Sequence, residues 1–159
     1  MASSAPPTVD PLVPLTLLET VRDLDRPLGA AEAEYVPELL NKRLGMTDTV
    51  FAQIRRYVAA VERGTRVRND EVAALSRLLA RRPDAPDVFQ TAGERIATVA
   101  YQRLSSVRRG VIRFSPRFLA RPIARRQARR IEKRYFRAPV EVEYHNAGMR
   151  ALHTLLRLD

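Results

Sequence analysis

One segment differs sharply from the rest of this chain: residues 103–137 read RLSSVRRGVIRFSPRFLARPIARRQARRIEKRYFR. The segment holds thirteen basic residues and a single acid, Glu132, so its net charge is +12. The other 124 residues carry fifteen basic side chains and seventeen acids, a net charge of −2. The protein is therefore a nearly neutral domain with one strongly cationic segment.

The basic residues of this segment follow a helical repeat. Residues four apart are neighbours on a helix surface. One ridge at strict four-residue spacing consists of Arg113, Arg117, Arg121, Arg125, Arg129, Lys133 and Arg137, and a second beside it consists of Arg126, Arg130 and Arg134. Like charges at this spacing repel one another, so we expect an anionic partner to stabilise the helix.

The start and the shape of this helix can also be predicted. Ser115 and Pro116 form a strong N-cap and N1 pair, which predicts a helix from Pro116 to about Phe136. Pro122 lies one and a half turns inside and is expected to kink the axis. Apolar residues around the start form a predicted anchor, which comprises Phe114, Phe118, Leu119 and Ile123.

The whole sequence predicts a mainly α fold: a bundle of about five helices, the kinked Arg-rich helix, and a short strand–helix tail. A capping box, Thr16 with Glu19, opens the first helix. Apolar residues recur at helical spacing in residues 16–27, 47–63, 69–83 and 87–106, and a weaker helical stretch, 30–44, is interrupted by Pro37. Gly93 lies in an apolar stripe at a cost of about 1 kcal/mol relative to alanine. This predicts close approach of a neighbouring helix.

The two ends of the chain have different patterns. Proline-rich residues 1–14 predict an extended arm. Val140, Val142 and Tyr144 alternate with acids, which predicts a half-exposed strand, followed by a turn at 146–148. Its partner is either residues 107–114 or a strand of another chain, paired in trans through Val140–Tyr144. The expected organisation is an arm (1–14), a helical domain (15–106), the Arg-rich helical segment (107–137) and a strand with a short helix (138–159).

Several classes of chemistry are excluded or disfavoured. The chain has no cysteine, which excludes disulfides and thiolate chemistry. Its six glycines are scattered, so there is no phosphate-binding glycine loop. His145 and His153 lack a surrounding catalytic or metal-ligating pattern. We therefore expect no enzymatic activity, no cofactor and no metal site, and no motif identifies a family.

The cationic segment carries the functional hypothesis. An Arg-rich amphipathic helix with Phe and Leu on one face is typical of an interfacial anchor on anionic lipid. We expect a non-enzymatic binding or assembly protein: a peripheral subunit at a membrane face or on an acidic, membrane-associated protein complex. The residues expected to bind the anionic surface are Arg108, Arg109, Arg113, Arg117, Arg121, Arg125, Arg126, Arg129, Arg130, Lys133, Arg134 and Arg137. The expected location is the cytoplasm, at the cytoplasmic face of a membrane, and the 26 arginines against 2 lysines are typical of a high-GC bacterial genome.

Three alternatives stay open. The segment can neutralise phosphates of DNA or RNA in a ribosome- or nucleoid-associated protein, with Tyr135 and Phe136 available for stacking. The helices can enclose a small ligand. The arginines can also simply pair with an acidic cluster near the N-terminus, which comprises Asp23, Asp25, Glu32, Glu34 and Glu38.

Overall fold

The prediction of a mainly α fold is confirmed. The computed structural model describes residues 6–24 and 47–159, without the side chains of 47–49. The elements are β1 (Thr8–Val9), α1 (Leu12–Leu24), α2 (Thr47–Arg63), β2 (Val67–Arg68), α3 (Asn69–Ala80), α4 (Ala85–Gln102), α5 (Ser106–Phe114), α6 (Arg117–Ile131), a π-helical turn (Glu132–Phe136) and α7 (Val142–Leu155). The helical stretch predicted within 30–44 lies outside the described residues.

Helix α4 is central to the packing, because it contacts both α1 and, most extensively, α7. Its apolar stripe is buried as predicted at Phe89, Ala92, Ile96 and Ala100. Leu17 and Leu18 of α1 are buried in the same core cluster. Not every apolar residue of the predicted helical stretches 47–63 and 69–83 is inside: Phe51 of α2 is 41% exposed and Leu78 of α3 is 40% exposed.

Two glycines allow close packing on α7: Gly93 at its crossing with α4, and Gly148 against the ring of Phe136. A Cβ atom at Gly93 would overlap the backbone carbonyl of Tyr144 and would lie 3.0 Å from the backbone nitrogen of Gly148. A Cβ atom at Gly148 would in turn overlap the ring of Phe136. The close approach predicted from Gly93 is therefore confirmed, with α7 as the neighbouring helix.

The strand predicted at Val140–Tyr144 is wrong, because α7 begins at Val142 and the turn predicted at 146–148 lies inside it. The buried residues of α7 recur at helical spacing: Tyr144, Ala147, Gly148 and Leu152. Burial of this longer stripe outweighs an alternation of only five residues. Residues 140–144 therefore offer no strand that could pair in trans. The suggested internal partner of that strand, residues 107–114, is also helical.

The described part of the N-terminal arm, from residue 6 onward, packs on the domain through a short ribbon. Strand β1 pairs antiparallel with β2, with Val9 opposite Val67, and both side chains are buried. Helix α1 then begins at Leu12, whose backbone N–H donates to Asp10 Oδ1 over 2.9 Å. The capping box predicted at Thr16 is therefore wrong, since Thr16 is buried inside the helix. The first helix begins four residues before the predicted start.

Candidate anionic-surface interface

Helices α5 and α6 form a packed pair joined through Ser115 and Pro116. Ser105 caps α5 by accepting a hydrogen bond from the Arg108 backbone over 3.2 Å. Helix α6 starts at Arg117, one residue after the predicted start, and Pro116 rather than Ser115 occupies its N-cap, without a side-chain cap bond. The predicted extent to Phe136 holds, but its last five residues are π-helical.

Large apolar side chains are exposed on α5 and at its junction with α6. Phe114 is 81% exposed, Phe118 75%, Val107 74% and Leu119 55%. We call these four residues the apolar tip. Ile123, the remaining member of the predicted anchor, is 37% exposed. All four predicted anchor residues are thus on the surface, and no described neighbour buries them.

Val107 is a tip residue that the sequence prediction missed. It lies seven residues before Phe114, two turns along α5, and therefore on the same helix face. The one buried residue of α5, Ile112, is on another face. The seven-residue spacing of Val107 and Phe114 carries this signal, but it is lost when residues 107–114 are interpreted as a strand.

The two faces of α6 differ completely in composition. The buried residues are Ala120, Ala124, Gln127, Ala128 and Ile131, so small side chains bring this helix close to the core. The exposed ones include the α6 members of the two predicted ridges: Arg117, Arg121, Arg125, Arg126, Arg129 and Arg130. Helix α6 contains no acidic residue. Its outer face therefore carries six arginines and no acid, beside the exposed apolar residues Phe118, Leu119, Pro122 and Ile123.

The tip and the arginines share one face of α6. At 100° per residue, Phe118 lies in line with Pro122, Arg125 and Arg129. Leu119 lies in line with Arg126, two turns and about 10 Å further along the axis. The exposed face therefore begins with two apolar side chains and continues with arginines.

Few basic residues of the segment have an acidic partner. Arg134 donates to Asp10 over 2.9 Å, and this hydrogen bond raises the pKa of Arg134. Glu132 lies 3.7 Å from His145 Nε2. Among residues 6–24 and 47–159, the exposed arginines of α6 form no ion pair. The charge of this face is therefore uncompensated within the described chain.

The N-terminal acidic cluster does not supply this compensation where the structure describes it. Asp23 pairs with Arg22 and, over 2.8 Å, with Arg95, neither of which belongs to residues 103–137. Burial raises the pKa of Asp23, but its contacts with Arg95 and Arg22 prevail and the pKa is lowered. The other four cluster members lie outside the described residues.

The remaining predicted binding residues fall into two groups. Arg108, Arg113, Lys133, Arg134 and Arg137 are exposed. Arg109 is half-buried, and its Nε atom has no hydrogen-bond partner. Arg109 therefore contributes less to an external surface than the sequence predicted.

Two contacts fix the C-terminal end of α5 beside the tip. The Arg157 guanidinium donates to the carbonyl oxygens of Ile112, over 3.2 Å, and Arg113, over 2.6 Å. A cation at a helix C-terminus also interacts favourably with the helix dipole. The Arg113 guanidinium lies over the Phe114 ring, 5.6 Å from its centroid. Arg157 thus holds the last turn before the tip.

The predicted stacking role of Tyr135 and Phe136 is wrong. Both are 3% exposed, in the π-helical turn. The Tyr135 carbonyl accepts a hydrogen bond from the Tyr144 hydroxyl over 2.9 Å, and the Tyr135 hydroxyl accepts one from the Arg103 guanidinium over 3.2 Å. These aromatics hold α6 to α7 and are unavailable to an external ligand.

Comparisons with protein-family models, curated proteins and solved structures found no match. In the part of the chain that the structure describes, no helix is long and apolar enough to cross a bilayer. Over the same residues, no group of three or more His, Asp or Glu side chains is arranged to hold a metal ion.

Proposed function

We propose that this protein is a non-enzymatic peripheral membrane protein that binds an anionic lipid surface through the apolar tip and the arginines of α6. The observation that carries the proposal is the combination of these two features on one helix face. Phe118 and Leu119 are exposed at its start, and arginines without acidic partners in the described chain follow them. The binding strength of an interfacial helix increases with both of these signals, the apolar area that is buried and the electrostatic attraction to anionic lipid.

Both the arginines and the apolar tip contribute substantially to the free energy of membrane binding. An arginine near an anionic leaflet contributes about 1 kcal/mol. Full burial of a phenylalanine side chain contributes about 1.5–3 kcal/mol. The arginines therefore attract the protein to the surface, and insertion of Phe114 and Phe118 adds a component that salt does not screen.

Lipid explains the tip better than nucleic acid does. Phosphates of DNA or RNA would bind the arginines, and exposed phenylalanines can stack on bases. The aliphatic members Val107 and Leu119 would gain little from base stacking, whereas all four tip residues gain from contact with acyl chains. Tyr135 and Phe136, the aromatics within the arginine ridges, are buried.

Co-sedimentation with vesicles tests the proposal. Binding to phosphatidylcholine vesicles that contain phosphatidylglycerol is measured across a salt series and compared with pure phosphatidylcholine vesicles. We expect binding to the anionic vesicles alone, with a part that persists at high salt. A gel shift with generic DNA and RNA is run under the same conditions.

Two variants with equal net charge separate the α6 face from charge in general. R117Q/R121Q/R125Q removes three exposed arginines of α6, and R55Q/R77Q/R81Q removes three exposed arginines of α2, α3 and the turn after α3. We expect only the first variant to lose most vesicle binding. Equal losses in both, binding to nucleic acid alone, or no binding to either partner would overturn the membrane proposal.

A further inference from the structure

The exposed face of α6 contains a groove beyond the apolar tip. The groove has a volume of about 410 Å³ and is lined by Pro122, Arg125, Arg126, Arg129 and Arg130. All lining residues come from one helix, so the shape follows from the helical repeat. Pro122 forms the end nearest the tip, because it lies between Phe118 and Arg125 along the same row.

The lining has a specific chemistry. Four guanidinium groups border one space, and none of the four forms an ion pair in the described chain. Arg125 and Arg129 also border an adjoining groove that contains Glu132, whose carboxylate lies 3.7 Å from His145 Nε2. Guanidinium groups bind phosphate oxygens through two parallel hydrogen bonds, which lysine cannot do.

We propose that this groove is a binding site for a phosphate group with two negative charges, presented by a phosphomonoester lipid headgroup or by a free phosphate compound. Four arginines around one space attract a phosphate group with two negative charges more strongly than a phosphodiester, which has one. A lipid headgroup as the ligand rests on the proposed function, because the groove and the tip share one face and would meet the same membrane.

The placement of the groove suits a headgroup in particular. It lies about 10 Å along the axis from Leu119. Interfacial helices bury their apolar face about 5–10 Å into the boundary between headgroups and acyl chains. With the tip inserted and α6 inclined, the groove lies at the level of the phosphates.

The test compares two kinds of vesicle at equal surface charge, one with phosphatidylglycerol and one with phosphatidic acid, whose headgroup is a phosphomonoester. We expect the unmodified protein to bind phosphatidic acid vesicles about tenfold more tightly, the effect of one additional charge-assisted hydrogen bond. A second arm titrates inorganic pyrophosphate without lipid and follows the Arg Nε–H resonances by NMR. This arm reports on a free phosphate source.

Charge-preserving variants show whether the groove is responsible. R125K/R126K/R129K/R130K keeps the net charge and the helix propensity but removes the bidentate donors. R117K/R121K is the matched control on the same helix outside the groove. We expect the first variant to lose the preference, so that its Kd values for the two kinds of vesicle become equal, and the control to keep the preference for phosphatidic acid. Circular dichroism checks that both fold.

The outcomes separate the two proposals. Failure of the unmodified protein to bind either vesicle refutes the proposed function, and the pyrophosphate arm then decides about the groove. Pyrophosphate shifts at the four groove arginines would support a free-phosphate site. No preference between the vesicles together with no pyrophosphate shift would overturn the groove site, as would a preference that survives in R125K/R126K/R129K/R130K.

Discussion

Replacement of Phe114 and Phe118 by alanine is expected to separate membrane binding from folding. The two rings are 81% and 75% exposed, so they contribute little to the folded state. Surface substitutions of this kind change the free energy of unfolding by about 0.5 kcal/mol or less. We therefore expect F114A/F118A to unfold at the same denaturant concentration as the unmodified protein.

The loss of vesicle binding can be estimated from the same exposures. Full burial of one phenylalanine side chain is worth about 1.5–3 kcal/mol. About three quarters of each ring is still available for burial in lipid. Each substitution then removes about 1.5 kcal/mol of binding free energy, and the pair about 3 kcal/mol, which corresponds to an increase of about 100-fold in the vesicle Kd.

Vesicle co-sedimentation at high salt is the suitable assay, because screening leaves mainly the apolar contribution. F51A/L78A is the matched control, since both residues are large, apolar and about 40% exposed outside the tip. We expect F51A/L78A to bind as the unmodified protein does. An unchanged Kd for F114A/F118A, or an equal loss in the control, would refute insertion of the tip.

Three further predictions concern the fold that holds the tip. Gly93→Ala places a Cβ atom against the Tyr144 carbonyl and should lower the free energy of unfolding by about 2 kcal/mol in denaturant titrations; a more stable variant would show that the crossing of α4 and α7 is looser. Ser105→Ala removes the cap on the Arg108 N–H and should cost about 1 kcal/mol, seen as faster hydrogen exchange at that amide; unchanged exchange would exclude the cap. Burial raises the pKa of Tyr57 to about 12. The contribution of its neutral hydroxyl to the free energy of unfolding is therefore complete below about pH 10 and is lost as the pH rises to about 12, a loss of up to about 3 kcal/mol. Y57F should lack this loss in unfolding experiments at alkaline pH, and equal pH dependence in both proteins would contradict it.

The sequence predicted the helices wherever a long apolar stripe was present. Helix α4 is the clearest case, since its stripe and the close approach at Gly93 both follow from helical spacing. The same rule failed at α7, where alternation at Val140–Tyr144 suggested a strand. Residues 142–155 are helical because Tyr144 is buried against a distant part of the chain. The local alternation contains no information about that contact.

The candidate site was partly predictable for a similar reason. The arginine ridges and the anchor follow from spacing within one helix, and the structure places them on exposed faces. The partners that hold this region come from remote positions: Asp10 pairs with Arg134, and Arg157 binds the last carbonyls of α5. Tyr135 and Phe136 were expected outside but are buried, because the π-helical turn packs on α7. Such contacts depend on tertiary packing and have no local pattern.

Direct contact between the tip and lipid acyl chains is the most decisive measurement. The chain contains no tryptophan, so Phe118→Trp introduces a single indole fluorophore at the tip, and Phe51→Trp provides a matched control on α2. With phosphatidylglycerol vesicles, we expect the emission of F118W to shift to shorter wavelength and to be quenched by lipids brominated on their acyl chains, while the emission of F51W stays unchanged. If F118W co-sediments with the vesicles but its emission neither shifts nor is quenched, the tip remains in water and insertion is contradicted.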